Sequence, residues 1–478
     1  SWSKIHVIFI SRIKFLSLHG MNGAKVAIWN QMKNSGMVIL KRSEMFYKKK
    51  TFLIEVKYRK ITANNIMSYR VIAIFCLLLM CVQYVPWEGW GVSPVKVTVM
   101  CIAPVFFLIS RPVASIAIFW GGLYLIWCWA VSHFHSSTPR IDTLGYMAMF
   151  WSCYMVFYHL VVKKKVFSME FFEKLMKYLL SAYIIVLIIQ QIFSLVGLGS
   201  LPLINSMGFC NMQNVFKCQS LALEPSHSAR IMGAAFYAVL KISEWRDGVP
   251  VSLNSLWKKN RMLLIGFLYA MLSMQSGTAI FILLILSLYF FHWKYVVPFA
   301  AVFILLPWIQ SIIQSEQLDR VIAVLEATST GDVEAVVAAD HSASYRILPM
   351  LNMFYLDFSD IHTWVGYGVD TAKDIYFATF DSRQMIGNGI MDYGMISYLL
   401  SLIFVFTCCI RPFLSLPTLM FFMGVGGGTG NIAYTWGILM IFTCVSYFYL
   451  QSNKNLPEQP RCQYSAFEEK GFHTHVNF

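Results

Sequence analysis

Residues 178–198 read YLLSAYIIVLIIQQIFSLVGL, an apolar stretch that contains no charged side chain. A helix needs about 20 such residues to cross the hydrocarbon core of a bilayer, and similar stretches recur along the chain of 478 residues. Hydrophobic residues make up 57% of the sequence and charged residues 13%, whereas about a quarter of the residues in a soluble domain are charged. This composition excludes a soluble domain and a disordered chain, and uninterrupted apolar stretches exclude a β-barrel, whose strands alternate in polarity. The sequence therefore predicts an all-α integral membrane protein.

The apolar stretches predict about twelve transmembrane helices, some of them shortened by tilt or by neighbouring helices. They lie at residues 70–86, 95–110, 112–132, 143–162, 178–198, 228–242, 262–275, 277–291, 295–313, 389–410, 412–426 and 431–450. The segment 262–291 could instead form one long tilted helix, which would invert every later span. We prefer two short helices, broken between Ser273 and Gly277, because the later basic connections then lie on the inner side.

The distribution of charge orients these spans. The net charge is +14, and most of the 38 Lys and Arg residues fall on one side of the membrane when the N-terminus is placed inside. Cytoplasmic loops of membrane proteins carry such an excess. The basic charge is therefore explained without a nucleic-acid partner, and both termini are predicted to be cytoplasmic.

We divide the chain into three parts. Residues 1–66 are interpreted as a basic leader that could lie upstream of the true start, residues 67–450 as a polytopic membrane domain, and residues 451–478 as a cytoplasmic tail. Two outer segments, 199–227 and 314–388, are too long to be simple connections, and the second forms a large extracytoplasmic loop between the ninth and tenth predicted spans. Long loops often carry function, so we expect the functional site there.

Reactive side chains cluster where the first of these outer segments meets a predicted span. Residues 223–230 read LEPSHSAR and bring Glu224, Ser226, His227 and Arg230 within two helical turns. Pro225 and Ser226 suit the start of a helix, with Ser226 as a candidate N-cap. An arginine facing lipid is costly, so Arg230 should point into the bundle and contact a carboxylate or a phosphate. A purely structural alternative is that Glu224 and Arg230 pair with each other.

The large outer segment contains a second group of polar residues. Ser344 and Arg346 are followed by His362 and by the pair Gly366 and Gly368. A guanidinium binds phosphate through two hydrogen bonds and keeps its charge, which suits a diphosphate. The glycines allow tight backbone turns beside a ligand, or they form a turn with no further role. A surface position is an equally simple explanation for His362.

A third polar group lies at the return into the membrane. Residues 383–394 read RQMIGNGIMDYG, in which Arg383 and Asn388 precede the predicted span 389–410 and Asp392 lies at its start. Of the 11 cysteines, Cys210 and Cys218 differ from the rest because both lie in one outer segment. They could form a disulfide bond if that compartment is oxidising.

Taken in order, these motifs resemble the O-antigen polymerase (Wzy) family, within the superfamily of bacterial polysaccharide polymerases and O-antigen ligases. The resemblance covers about residues 67–450 and is carried by Glu224-Pro225-Ser226 with Ala229 and Gly233, by Ser276-Gly277-Thr278, by Ser344 and Arg346 with Gly366-Tyr367-Gly368, and by Asn388 with Asp392 and Gly394. Ligases of this superfamily commonly have a histidine shortly before the asparagine. This chain has Arg383, Gln384 and Gly387 there, which disfavours a ligase.

The resemblance implies an inverting, metal-independent glycosyltransferase in the bacterial inner membrane that needs no cofactor. It would join undecaprenyl-diphosphate-linked oligosaccharide repeat units on the outer face, to make O-antigen, capsule or exopolysaccharide, with a chain-length regulator as a further partner beside the membrane lipid. A flippase or transporter of the same lipid-linked oligosaccharide is the alternative from another class. An O-antigen ligase, which would move the glycan onto lipid A core or protein, is a third possibility. Transporters tend to bind substrate near the midplane between repeated halves, whereas the polar residues here gather in outer segments.

For this reaction we predict a base and a cationic clamp. Glu224 is the predicted base, and His227 and His362 are competitors for that role. The predicted diphosphate clamp consists of Arg230, Arg346 and Arg383, which would make a metal ion unnecessary. The predicted substrate loop contains Ser344, Gly366, Gly368 and Asn388.

Overall fold

The computed structural model of this chain describes residues 67–82, 101–110, 115–135, 140–198, 215–290, 316–330, 332–339, 344, 348–379, 385–387, 389–424 and 432–455. The chain divides into two units, Ser1–Ser68 and Tyr69–Phe478, and only Met67 and Ser68 of the first are described. The predicted leader 1–66, the predicted span 295–313 and most of the predicted tail therefore lie outside the described residues.

The described residues form helices and no strand, so the all-α class is confirmed. The helices in chain order are α1 (Met67–Cys81), α2 (Ala103–Ser110), α3 (Ile116–His135), α4 (Ile141–Tyr158), α5 (Met169–Leu195), α6 (Pro225–Asp247), α7 (Leu253–Ser273), α8 (Gly277–Ser287), α9 (Glu316–Thr330), α10 (Val333–Ala339), α11 (Ile361–Val365), α12 (Thr371–Thr379), α13 (Ile390–Cys408), α14 (Leu416–Leu419) and α15 (Ala433–Asn455). One turn of π-helix extends α4 (His159–Lys163), another extends α14 (Met420–Gly424), and 3-10 turns lie at Leu288–Phe290 and Asn352–Tyr355.

Five of these helices are long and apolar enough to cross a membrane, namely α3, α4 with its π-helical extension, α5, α13 and α15. The helices α1 and α8 are apolar but shorter. Of the other predicted spans, 228–242 lies within α6 and residues 262–273 of the span 262–275 lie within α7; both helices are long but less apolar. The structure thus supports a membrane protein, and the count of twelve spans stays a prediction.

The two-helix interpretation of residues 262–291 is confirmed as a break in the helix. The helix α7 ends at Ser273 and α8 begins at Gly277. Between them Gln275 has a φ of 50°, a left-handed conformation that an α-helix does not contain. The chain therefore forms two helices here rather than one long tilted helix.

The helix α6 is buried along most of its length between α5, α8 and α15. Small side chains make this close packing feasible, as in many helix pairs within membranes. A methyl group at Gly233, for example, would collide with the side chain of Ile282 on α8. On the side facing α7, Phe236 stacks on Phe267 with ring centroids 4.1 Å apart. Tight packing rather than high hydrophobicity thus explains the central position of α6.

A buried carboxylate joins α5 to α6 near the predicted inner side. Glu173 is 2% exposed, and its carboxylate accepts a hydrogen bond from Ser243 at 3.1 Å. The same carboxylate pairs with Lys177 at 2.7 Å and with Arg246. A buried charge is tolerated only when it is paired and hydrogen-bonded, and Glu173 meets both conditions.

The network continues from Arg246 to α7. Arg246 donates to Asp247 at 2.9 Å, and Lys259 reaches the other oxygen of that carboxylate at 2.7 Å. The hydrogen bonds from Arg246 and Lys259 lower the pKa of Asp247 to about 2. The carboxylate therefore stays ionised at neutral pH and keeps α7 attached to the end of α6.

Removal of the Glu173 carboxylate should destabilise the protein. Breaking a fully buried ion pair costs about 3–5 kcal/mol, but Lys177 and Arg246 are partly exposed, so we expect Glu173→Ala to lose about 2 kcal/mol. Thermal unfolding of the purified protein in detergent measures the change. Glu170→Ala, which removes an exposed carboxylate from the same helical turn, is the control. Equal stability of the two variants would contradict a role for the buried pair.

The predicted outer segment 314–388 is largely helical where the structure describes it. It contains α9 to α12, and Ala327, Val336 and Leu348 form a small hydrophobic cluster of their own. The helix α11 packs against the start of α13, and α12 also contacts α13. The segment is therefore a folded element rather than a simple connection.

Candidate functional site

The first candidate site is at the beginning of α6. Pro225 occupies the first helical position, where its missing N–H group needs no partner. The preceding residue, Glu224, is therefore the N-cap, and its carbonyl oxygen accepts hydrogen bonds from His227 and Ser228, both at 3.1 Å. The expectation that Ser226 caps the helix was wrong, because Ser226 lies inside the first turn. Its hydroxyl instead donates to the Glu224 carboxylate at 3.0 Å.

A carboxylate and an imidazole lie together at this helix start. The Glu224 side chain is 44% exposed, and its Oε2 is 3.6 Å from Nε2 of His227. The imidazole ring packs on Tyr434 from the first turn of α15, with ring centroids 4.2 Å apart. One face of the pair is therefore fixed by packing, while the carboxylate remains accessible to a ligand.

Arg230 points into the bundle, as expected, and its described contacts are with Tyr434 and not with a carboxylate. Its guanidinium donates to the Tyr434 hydroxyl and lies over the same ring, 5.3 Å from the centroid. The alternative in which Glu224 and Arg230 pair with each other was therefore wrong. The buried Nε of Arg230 has no hydrogen-bond partner among the residues that the structure describes. Arg230 is thus positioned by Tyr434 with part of its donor capacity unused.

The segment that leads into α6 is fixed by polar contacts with α5. Gln190 of α5 accepts from the backbone N–H of Ser220 at 2.7 Å and donates to the Ser220 carbonyl at 3.1 Å. Ser228 donates to the carbonyl oxygen of Gln219. Cys218, in the same segment, takes part in a disulfide bond. Its partner is outside the described residues, so the pairing with Cys210 stays a prediction.

The second candidate site combines α11 with the first turn of α13. Gly366 and Gly368 follow α11 with φ values of 78° and 109°. The backbone N–H of Gly368 donates to the Asp392 carbonyl at 2.8 Å. A methyl group on Gly366 would approach that same carbonyl oxygen within 2.5 Å. These glycines thus allow two backbones to meet, which favours the turn interpretation of the motif.

His362 belongs to this second group and not to the start of α6. Its ring stacks on Tyr367 at 4.4 Å, and its Nδ1 is 3.4 Å from the carbonyl oxygen of Gly366. The imidazole is therefore used in holding the turn. Glu224 and His227 lie on another helix, so the two histidines predicted as competitors occupy different parts of the fold.

Asp392 has a role in this second site that the sequence did not indicate. Its carboxylate accepts from the backbone N–H of Ala372 at 2.9 Å, at the start of α12. Nearby, the buried Asp370 accepts from Thr143 at 2.7 Å and pairs with Arg140 at 3.4 Å. The contacts of Asp370 with Arg140 and Thr143 join residues more than 200 positions apart, so no local sequence pattern predicts them.

Arg346, Arg383, Asn388 and Cys210 lie outside the described residues. Ser344 is described and buried. Arg230 is therefore the one member of the predicted clamp within the described part of the chain.

The described residues contain no group of three or more His, Cys, Asp or Glu side chains that could share a metal ion. The fold and these sites define a helical membrane protein with a carboxylate, an imidazole and a guanidinium at the start of one helix. Comparisons with protein-family models, with curated proteins and with solved structures return no match.

Proposed function

We propose that this protein is a polysaccharide polymerase of the bacterial inner membrane. It would join oligosaccharide repeat units carried on undecaprenyl diphosphate. The observation that carries the proposal is the grouping of Glu224, His227 and Arg230 on the first two turns of α6, with Tyr434 packed against the latter two. The order of the sequence motifs supports the same family. A chain-length regulator is the proposed protein partner.

The proposed reaction needs a base and a group that accepts developing negative charge. A hydroxyl oxygen of the acceptor sugar attacks the anomeric carbon of the donor and gives its proton to Glu224. The bond between that carbon and the diphosphate oxygen breaks, with inversion, and the lipid diphosphate leaves with the bonding electrons. Glu224 is accessible and hydrogen-bonded through one oxygen, which leaves the other oxygen for the incoming proton.

Arg230 is suited to the leaving group. A guanidinium near a helix start combines a permanent positive charge with the partial positive charge of the helix terminus, and both favour an anion. Tyr434 accepts a hydrogen bond from Nη1 of Arg230 and so holds the guanidinium at the helix start. Arg346 and Arg383 remain proposed as the other members of this clamp.

Deletion of the gene tests the function directly. A gel of surface polysaccharide should show the ladder of chain lengths collapse to a single repeat unit, and the wild-type gene should restore it. Loss of all glycan from the final acceptor, with long lipid-linked polymer accumulating, would indicate a ligase instead. Repeat units trapped on the cytoplasmic face would indicate a flippase.

A further inference from the structure

A pocket in the predicted outer segment, beside α11 of the second candidate site, has the chemistry of a carbohydrate-binding surface. It has a volume of about 300 Å³ and is lined by Asn352, Tyr355, Leu356, Asp357, Asp360, Thr363 and Ile386. Small-molecule sites start at about this size and combine apolar surface with a few placed polar groups. The described residues that line it include two carboxylates and an amide but no Lys or Arg.

The polar lining is held in place by the turn that precedes α11. Asp360 caps α11 by accepting from the backbone N–H of His362 at 2.9 Å. Thr363 donates to the Asp357 carbonyl at 2.6 Å. Asn352, also in the lining, donates to the carbonyl of Met385 at 2.8 Å. These hydrogen bonds hold the polar lining in place without a ligand.

The carboxylates of Asp357 and Asp360 can accept further hydrogen bonds. Asp357 accepts from the side chain and the backbone of Ser359 through one oxygen, and these hydrogen bonds lower the pKa of Asp357. Within the described part of the chain, the second oxygens of Asp357 and Asp360 accept no hydrogen bond. Ionised carboxylates bind hydroxyl groups through strong, charge-assisted hydrogen bonds and repel a diphosphate.

An exposed aromatic ring completes the pocket. Tyr355 is 84% exposed although it lines the cavity. The face of an aromatic ring is electron-rich and attracts the C–H groups on the apolar face of a sugar. Ring faces beside hydroxyl acceptors therefore match a carbohydrate better than a lipid surface, whose anionic headgroups the carboxylates would repel.

We propose that this pocket binds sugar units of the oligosaccharide substrate, away from its lipid diphosphate. Tyr355 stacks on a sugar ring, and Asp357 and Asp360 accept its hydroxyl groups. The inference rests on the proposed function for its substrate class, but it concerns binding and not the glycosyl transfer step.

Binding of a soluble oligosaccharide to the full-length protein in detergent tests this proposal. The probe is the single repeat unit of the host polysaccharide, released from lipid by mild acid, and saturation-transfer NMR follows its titration. We expect Tyr355→Ala to weaken binding about tenfold, and Tyr355→Phe to keep it because the ring remains. Asp360→Asn should also weaken binding, because a charged acceptor becomes neutral.

The neighbouring Phe354 provides a matched control. Phe354 is also 84% exposed but does not line the pocket, so Phe354→Ala should bind the oligosaccharide as the wild type does. Equal loss of binding in Phe354→Ala and Tyr355→Ala would overturn the proposal. So would a wild-type protein that binds no oligosaccharide.

Failure of this proposal is distinguishable from failure of the proposed function. A ladder that collapses on gene deletion, together with a protein that binds no free repeat unit, would remove the pocket and leave the polymerase. Saturable, Tyr355-dependent binding of the repeat unit, together with a ladder that gene deletion leaves unchanged, would support the pocket and contradict the polymerase function.

Discussion

Glu224→Gln should abolish chain elongation and leave only single repeat units on the surface glycan. The substitution keeps the size of the side chain and its ability to accept a hydrogen bond from Ser226, but it removes the basic oxygen. General-base catalysis contributes about 10²–10⁴-fold to rate, so we expect at least about a hundredfold loss of polymer formation. The measurement is the polysaccharide ladder from the complemented deletion strain, at matched expression of the protein in the membrane.

Glu244 is the matched control because it is a carboxylate at the other end of the same helix. It pairs with Lys241 at 2.7 Å and accepts from Tyr289 at 2.6 Å. Glu244→Gln should therefore polymerise as the wild type does. A Glu224→Gln protein that expresses normally and still gives a full ladder would exclude Glu224 as the base.

Gly394→Ala should detach α11 from α13 and inactivate the protein. Gly394 interrupts α13 with a φ of 77°, a conformation that is costly for other residues. A methyl group there would overlap the carbonyl oxygen of Trp364 and lie 2.5 Å from the backbone nitrogen of Val365. Both neighbours are backbone atoms, which cannot rotate away. We expect faster chymotrypsin cleavage after Trp364 and Tyr367, and a lower unfolding temperature in detergent.

Gly389→Ala is the control that separates the steric collision of an added methyl group from the strain of a positive φ. Gly389 has nearly the same φ, 74°, but the nearest atom to an added methyl group would be Cδ2 of Tyr393 at an ordinary 3.6 Å. Gly389→Ala therefore carries the cost of the left-handed conformation, about 1–2 kcal/mol, without the collision. If the two variants are cleaved at the same rate, close approach of α11 and α13 does not fix this segment.

The start of α6 shows how far the sequence could predict a site. Pro225 marked the beginning of the helix correctly because proline fits only the first turn. The N-cap was predicted two residues too late, at Ser226 instead of Glu224. Serine is among the preferred N-cap residues, but Ser226 lies inside the helix. The sequence could not predict the partner of Arg230, because Tyr434 is 204 positions away along the chain.

At the second site, too, the sequence predicted the local structure but not the contacts between distant segments. The sequence identified Gly366 and Gly368 as a turn, but not that the turn lies on the backbone of α13. Arg140 and Asp370 carried no signal, because each is an ordinary polar residue in its own segment and they meet only through the packing of distant segments.

The sequence by itself determined that this protein is helical and apolar, because those properties follow from composition. For residues 262–291 the distribution of Lys and Arg favoured two helices, and the structure decided it. Only the tertiary structure decided that α6 is the buried central helix, that Tyr434 holds His227 and Arg230, and that α11 and α12 contact α13. These contacts depend on close packing and hydrogen bonds between residues far apart in the chain, so no local pattern specifies them.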